Sequence, residues 1–466
     1  DGRNIAVSWS FQKNLLIKCG RKNTETDNYL HCVIVYANKI TPRLQYIAEF
    51  IGKEITGEAF RLTADSFYFN DHTGPKINYS DTGINNEELI INNCSLLFED
   101  SIKEQSITCF VVNGFKAFFK TEGDYPFDIF AATFYLLSRY EEYLPHQKDL
   151  YGRYTHENSL AYKEGFLNIP LVNTWIEDFK KALSKKFPGL NLQPSTFNFQ
   201  PTYDIDEAFA FKNKEFSKIA GGMAKSFVNR DWSIVNERWK VLRGKANDPY
   251  DAYEWMDKLH DKNNLKPLYF FHVATEKGKY DKNIPPSHPA MQQLIKHHAK
   301  KYSIGIHPSW ASGDNESLLE KEIKVLESAT GKKITASRQH YIRFTLPHTF
   351  RRLIAAGITE DHSMGYGSIN GFRASVASSF YWYDVGKEQQ TDLLLHPFCF
   401  MEANSFFEQK YLPQRAYEEM MHYHNAVKDV NGTLITIWHN NFLGTYPLFS
   451  GWRDVYEEFV QQVSNE

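Results

Sequence analysis

The chain has 466 residues and a formal net charge of −3, with acids and bases mixed along its length. That balance argues against a nucleic-acid binder, which needs a basic face, and no apolar run reaches the ~18 residues of a membrane span. With 42% hydrophobic and 23% charged residues the composition is that of an ordinary globular protein, long enough for two or more domains.

Asp1-Gly2-Arg3-Asn4 lacks the charged-then-apolar layout of a signal peptide, although a chain that begins without Met leaves a removed leader open. The five cysteines are Cys19, Cys32, Cys94, Cys109 and Cys399. The count is odd and no CxxC occurs, so neither a disulfide framework nor a Cys zinc site is suggested. Unpaired thiols fit a reducing, cytoplasmic compartment. Residues 32–36 and 107–112 read as strands, and 127–140 and 175–183 as helices. Lys180, Lys181, Lys185 and Lys186 read as a solvated helix face. Nothing before residue 195 has a catalytic spacing. The polar, Pro-bearing joint Asn191-Leu192-Gln193-Pro194-Ser195 divides an accessory α/β or α+β domain, 1–195, from a second domain, 196–466.

Residues 197–199 alternate apolar and polar, as a strand does, and run into Gln200-Pro201-Thr202-Tyr203-Asp204-Ile205-Asp206-Glu207. Residues i and i+2 share a strand face, so Asp204 and Asp206 set two negative charges side by side. A bound divalent cation or a proton offsets that repulsion. Solvated acids at a strand-to-loop transition, or a helix N-cap, are the plain alternative.

From here one pattern repeats: a short apolar strand ends in His, Asp or Arg, and a helix-like segment follows. The strands are 266–273 with His272, 302–309 with His307, and 334–341 with Arg338 and His340. Then come 357–362 with Glu360, Asp361 and His362, 391–398 with His396, and 433–440 with His439. Leu319, Ile323 and Leu326 lie on one helical face, behind the capping candidates Asp314 and Asn315 and ahead of Gly331. Residues 346–356 and 417–430 look similar, and 291–301 reads as a surface helix carrying His297 and His298. The alternation predicts a parallel sheet, and α/β barrels keep their chemistry at the C-terminal ends of such strands.

Tyr203-Asp204-Ile205-Asp206, Gly305-Ile306-His307-Pro308-Ser309, Ser337-Arg338-Gln339-His340-Tyr341 and Leu434-Ile435-Thr436-Ile437-Trp438-His439 stand in the order of the polysaccharide deacetylase motifs (carbohydrate esterase family 4). The chain resembles that family over roughly residues 196–466. It is similar more narrowly to bacterial two-domain members with a family-specific N-terminal domain, through residues 40–47, 126–132 and 139–142. The resemblance implies a distorted (β/α) barrel that hydrolyses N- or O-acetyl groups on an acetylated carbohydrate in bacterial surface-polysaccharide metabolism. It implies Asp204 as general base, Asp206 and His307 as ligands of a divalent metal such as zinc, Arg338 as the group orienting the base, and His439 as general acid. Such a metal acidifies bound water and polarises the acetyl carbonyl, while the base and acid move protons.

The family's second motif has another His four residues after the first; here that position is Ala311. His340, ending the adjacent strand, is the replacement ligand, ahead of His396 and His362; the other outcome is loss of the ion. Glu360, Asp361 and His362 are candidates to orient His439 or Arg338. Trp310, Tyr341, Arg373, His396 and Trp438 are candidates for substrate contact, with Trp382 a further aromatic. Aromatic residues make up 15% of the chain, so each is more often core than sugar platform. Two further readings stand beside the deacetylase: a non-catalytic carbohydrate-binding or scaffold protein on a decayed barrel, and an amidohydrolase acting on a small non-peptide C–N substrate. Because Asp204 neighbours another carboxylate, neutralising it is expected to leave the fold equally or more stable.

Overall fold

The structure is a computed structural model that describes residues 32–276 and 278–465; Cys19 and the chain's first residues lie outside them. Four short strands, β1 (Ile34–Tyr36), β2 (Arg61–Thr63), β3 (Lys76–Asn78) and β4 (Leu89–Ile90), pair in parallel in the order β2-β1-β3-β4. The helix Pro42–Thr56 follows β1. It begins where the Thr41 side chain accepts the Leu44 N–H, and it ends at Gly57 with φ 81°. β5 (Phe110–Val112) and β6 (Phe115–Ala117) form a hairpin turned by Asn113-Gly114, both at positive φ, which such tight turns require. The helices expected near 127–140 and 175–183 are Ile129–Leu137 and Leu171–Lys186. Lys180 departs from the solvated face expected of it: it is 8% exposed and paired with Glu177 at 2.7 Å.

A nine-stranded sheet fills the rest of the chain. Its strands are β7 (Asn198–Ile205), β8 (Leu268–His272), β9 (Ser303–His307), β10 (Ala336–Ser337), β11 (Glu360–Asp361), β12 (Phe380–Asp384), β13 (Gln389–Leu395), β14 (Phe400–Met401) and β15 (Thr433–His439). The order is β12-β13-β11-β10-β9-β8-β7-β15-β14, parallel except for the antiparallel β12–β13 pair. Helices alternate with the parallel strands as expected. Glu316–Thr330 is capped by Asn315 and closed by Gly331 at φ 68°. The helix Pro289–Lys301 is not a purely surface one. His297 is exposed, but His298 is fully buried against Tyr269.

Adjacent strands lie about 4.8 Å apart, so strands three places apart are ~14 Å apart in a flat sheet. Yet Arg338, just after β10, donates to Asp204 of β7 at 2.8 Å, and the ring of His362, just after β11, lies 5.1 Å from Phe270 of β8. The sheet therefore curls strongly around one face. Among the described residues no strand pairing closes it, in contrast to a fully closed barrel. Segment 396–401 crosses the open side, where the Cys399 N–H donates to Ile435 O at 3.4 Å. The architecture is a mixed α/β fold with a curled, mostly parallel sheet.

One apolar core runs from Val33 and Leu44 through Trp175 to Trp438 and Phe459, joining the early helices to the large sheet. Charged contacts cross the same boundary. Arg373 grips the Glu142 carboxylate at 2.8 and 2.6 Å, and Arg43 grips Glu388 at 2.6 Å. Among the described residues no helix is long and apolar enough to cross a membrane.

Candidate functional site

The end of β7 and the residue after it present Asp204 and Asp206 on the inner face of the curl, while Tyr203 and Ile205 point the other way into the core. Around this pair the C-terminal ends of β9, β10 and β15 bring His307, Arg338, His340 and His439. Asp204 is 2% exposed, and its Oδ1 accepts from Arg338 Nη1. Arg338 is fully buried. Its Nε donates to His362 O at 3.0 Å, and its guanidinium lies 4.3 Å from the centre of the Phe270 ring. Gly305 on β9 makes room for that ring, since a Cβ there would stand 2.4 Å from Phe270 Cε1. Burial pulls the Arg338 pKa down, against the opposing pull of Asp204.

Asp206 is the hub. His307 Nε2 lies 3.1 Å from Oδ1, and His340 Nε2 and His439 Nε2 lie 3.4 and 3.6 Å from Oδ2. His307 Nδ1 is 2.7 Å from Arg338 O, and a carbonyl can only accept, so Nδ1 carries the proton. In neutral His307 the Nε2 lone pair then faces a carboxylate oxygen that has no donor of its own among the described residues. Two acceptors 3.1 Å apart call for a cation or a second proton between them. Burial would raise the Asp206 pKa, but His340 and His307 outweigh it and hold the carboxyl well below its ordinary range.

His340 is placed by an unusual turn. The two residues after it, Tyr341 and Ile342, have φ of 59° and 53°, a region that costs ordinary side chains about 1–3 kcal/mol each. Arg153 holds this turn from outside. Its Nη1 donates to Tyr341 O at 3.0 Å and to Gly367 O at 2.8 Å, and its Nε is fixed by Asp149 at 2.6 Å. Behind His340, Asp281 Oδ1 stands 3.5 Å from His340 Nδ1 and 3.2 Å from His272 Nε2, and it accepts the Trp310 N–H at 2.9 Å. Burial lowers the His340 pKa, but Asp206 and Asp281 overcome it and raise the imidazole to about 9.

His439 has its own carboxylate. Glu402, fully buried just after β14, accepts both the His439 N–H at 2.8 Å and Nδ1–H at 2.6 Å. That fixes the ring with Nε2 turned to Asp206. Burial opposes protonation, yet Glu402, then Asp206 and Asp204, raise the His439 pKa to about 10.

The site fits a divalent ion. Ligand atoms of Asp206, His307 and His340 lie within 4.8 Å of one another, and an oxygen plus two imidazole nitrogens is a donor set that zinc accepts. The orphaned Asp206 Oδ1 facing the His307 lone pair is the contact such an ion would satisfy. His340, the candidate that the sequence offers in place of a His at position 311, is one of the three residues of this group. The side chain of Asp206 is 31% exposed, so the cluster opens to solvent.

The substrate-contact candidates divide. Trp310 and Tyr341 are part-exposed beside His340, in a group with Tyr280 and Tyr151; Tyr280 and Trp310 centroids are 4.1 Å apart, and Tyr151 and Tyr341 5.3 Å. The other three do not join them. Trp438 is fully buried against Tyr456, because it alternates with His439 and faces the core. Arg373 is 1% exposed and holds Glu142, not a site carboxylate. His396 lies away from Asp206, stacked on His362 at 4.3 Å, so neither serves as a reserve ligand here. Trp382 is buried at 1%. Glu360 and Asp361 touch neither His439 nor Arg338 by hydrogen bond; Glu360 lies 3.5 Å from His396, and Asp361 binds Ser337 and Ser363. Sequence reasoning marked His272 as a strand-end residue without giving it a role, and missed Glu402, Asp281 and Arg153 as parts of the site. Of those three only Glu402 carried a signal, an acid closing the apolar run 399–401.

Residues 33–188 match the model of a family of unknown function, DUF7033. No curated protein matches the chain. Among solved structures, a Mycobacterium smegmatis protein assigned to the polysaccharide deacetylases is 16% identical, covering 58% of this chain and 85% of its own, with a TM-score of 0.38. Puue allantoinase is 10% identical over 58% and 85%, with a TM-score of 0.36. A carbohydrate esterase family 4 pseudoenzyme from Bacillus anthracis is 9% identical over 59% and 62%, with a TM-score of 0.30.

Proposed function

We propose that this chain is a hydrolase that removes acetyl groups from a carbohydrate with the help of one divalent ion. One observation carries the reading: Asp204, gripped by Arg338, and His439, gripped by Glu402, flank the Asp206–His307–His340 cluster in a single solvent-reaching site. A decayed site has no need of two buried groups dedicated to aiming an acid and a base.

Each side chain has a task. Arg338 engages Asp204 Oδ1, which leaves Oδ2 to take a proton from the attacking water. His439, with its pKa near 10, holds a proton at neutral pH on the nitrogen that faces the site. Water adds to the acetyl carbonyl carbon and its proton passes to Asp204. The bond to the sugar nitrogen or oxygen breaks as His439 Nε2 protonates the leaving atom, giving acetate and the free amine or hydroxyl. An ion held by Asp206, His307 and His340 supplies Lewis acidity and acidifies water. Trp310 and Tyr341 offer part-exposed rings for a sugar face.

The segment 1–195 is read as an accessory unit that supports this site, through Arg153 on the His340 turn and Tyr151 on the aromatic rim. An accessory segment at the rim also suits an amidohydrolase with a small C–N substrate. Acetate release from acetylated oligosaccharides, against ammonia or amine release from small amides, separates the two.

A further inference from the structure

A second group of side chains converges elsewhere on the inner face of the curl. Glu360 and His362 are two residues apart across β11, so they share one face, and His396 lies directly beside His362 because Asp361 pairs with Leu395 in parallel register. The imidazoles of His362 and His396 lie 4.3 Å apart, and His396 Nε2 is 3.5 Å from a Glu360 oxygen. The three ligand atoms lie within 4.8 Å of one another. These residues, at the ends of β11 and β13, line a cavity of about 590 Å³ whose other wall is the N-terminal ends of β7, β8, β9, β10 and β15, with Asn198, Gln200, Ser303 and Thr433 around it. It opens opposite to the Asp206 cluster, with the Phe270 ring and the Arg338 guanidinium between them.

His362 is the telling residue. It is 4% exposed, and neither of its ring nitrogens has a hydrogen-bond partner among the described residues. A buried imidazole normally satisfies at least one nitrogen, since leaving a buried polar group unmade costs about 1–3 kcal/mol. His396 by contrast is oriented by Ser379 Oγ at 2.8 Å from Nδ1, which leaves Nε2 directed at Glu360. A ligating imidazole is usually fixed through its other nitrogen in this way.

We propose that Glu360, His362 and His396 form a second transition-metal site, of zinc type, at the N-terminal mouth of the curled sheet. Ligand atoms on one tetrahedral zinc are about 3.4 Å apart, close to the present Glu360–His396 separation. Turning either ring about its Cβ–Cγ bond, a broad and soft torsion, converges the nitrogens. Two His and one carboxylate leave the remaining positions to water or a small anion from the cavity. The ion would tie β11 to β13. Arg338 Nε donates to His362 O, so binding there also braces the arginine that grips Asp204.

Zinc content and titration test this without reference to catalysis. The protein is loaded with Zn²⁺, exchanged into chelator-free buffer, and analysed for zinc alongside His307→Ala, His396→Ala and the double variant. The proposal expects two zinc ions in the wild type, one in each single variant and none in the double. Glu360→Gln, at a part-exposed position that risks little of the fold, should weaken the zinc that survives in His307→Ala. His307→Ala with no zinc, or equal zinc affinity in His307→Ala with and without His396→Ala, overturns it. Failure of the Asp206 site alone shows differently: one zinc in wild type, retained in His307→Ala and lost in His396→Ala.

Discussion

His307 donates its Nδ1 proton to the carbonyl oxygen of Arg338 across 2.7 Å, and this turns its Nε2 lone pair onto Asp206. The backbone of one motif thereby fixes which nitrogen of another faces Asp206. The same peptide carries the guanidinium that grips Asp204. Asp204 and the Asp206 cluster are thus both held by a single turn after β10.

The first expectation follows from that geometry. His307→Ala should lower zinc affinity at the Asp206 cluster to background while the far-ultraviolet circular dichroism is unchanged. Isothermal titration on zinc-free protein reads it. Retention of wild-type affinity at every site would reject His307 as a ligand.

Asp204→Asn separates two physical effects. Sequence alone pointed to relief of repulsion from Asp206 and an equal or higher stability. The structure reverses that sign, because Arg338 is fully buried and Asp204 is its only carboxylate hydrogen-bond partner among the described residues. Breaking a buried pair from one side costs about 3–5 kcal/mol. A lower melting temperature is expected alongside lost activity, and an unchanged one would contradict the pairing.

Arg153→Ala tests whether the first 195 residues serve the site. Losing the bonds to Tyr341 O and Gly367 O should let the strained turn relax and move His340. Support contacts of this kind are worth about 10–100-fold in metal affinity. A fall of that size in zinc affinity is expected by competition with a chelating dye. A variant with reduced melting temperature and wild-type zinc affinity would make Arg153 merely structural.

Acid stability should report on Glu142. Burial would raise its pKa, but Arg373 and Arg139 outweigh it and bring it from 4.5 to about 2. Its stabilising contribution is therefore complete above about pH 4.5 and is lost as pH falls toward 2. Glu142→Gln leaves two buried guanidinium groups short of charge, so it should be much less stable at pH 7, by about 3–5 kcal/mol. The difference between wild type and variant should shrink between pH 4.5 and 2. Thermal unfolding across that range measures it, and a constant difference would contradict the assignment.

The strand-end habit made Asp204, Asp206, His307, Arg338, His340 and His439 legible in the sequence, while the same habit at His362 and His396 marked a separate cluster. The same period-two rule places Trp438 on the face opposite His439, which its choice as a sugar platform overlooked. Arg373 and Glu142 are far apart in sequence, and no local pattern announces their pairing. Glu402 follows a two-residue strand too short to show a period, and Asp281 sits in a loop. The antiparallel β12 escaped because its five residues hold four aromatics and lack the strand-helix rhythm around them.

The most direct measurement is acetate release by zinc-loaded protein from N- and O-acetylated oligosaccharides, compared with His439→Ala and Glu402→Gln. A positioned general acid contributes about 10²–10⁴-fold, so His439→Ala should lower the rate by at least about a hundredfold, and Glu402→Gln should lower it too by freeing the ring. Zinc-loaded wild type that binds glycans yet releases no acetate from any of them would contradict the deacetylase reading and leave a carbohydrate-binding scaffold.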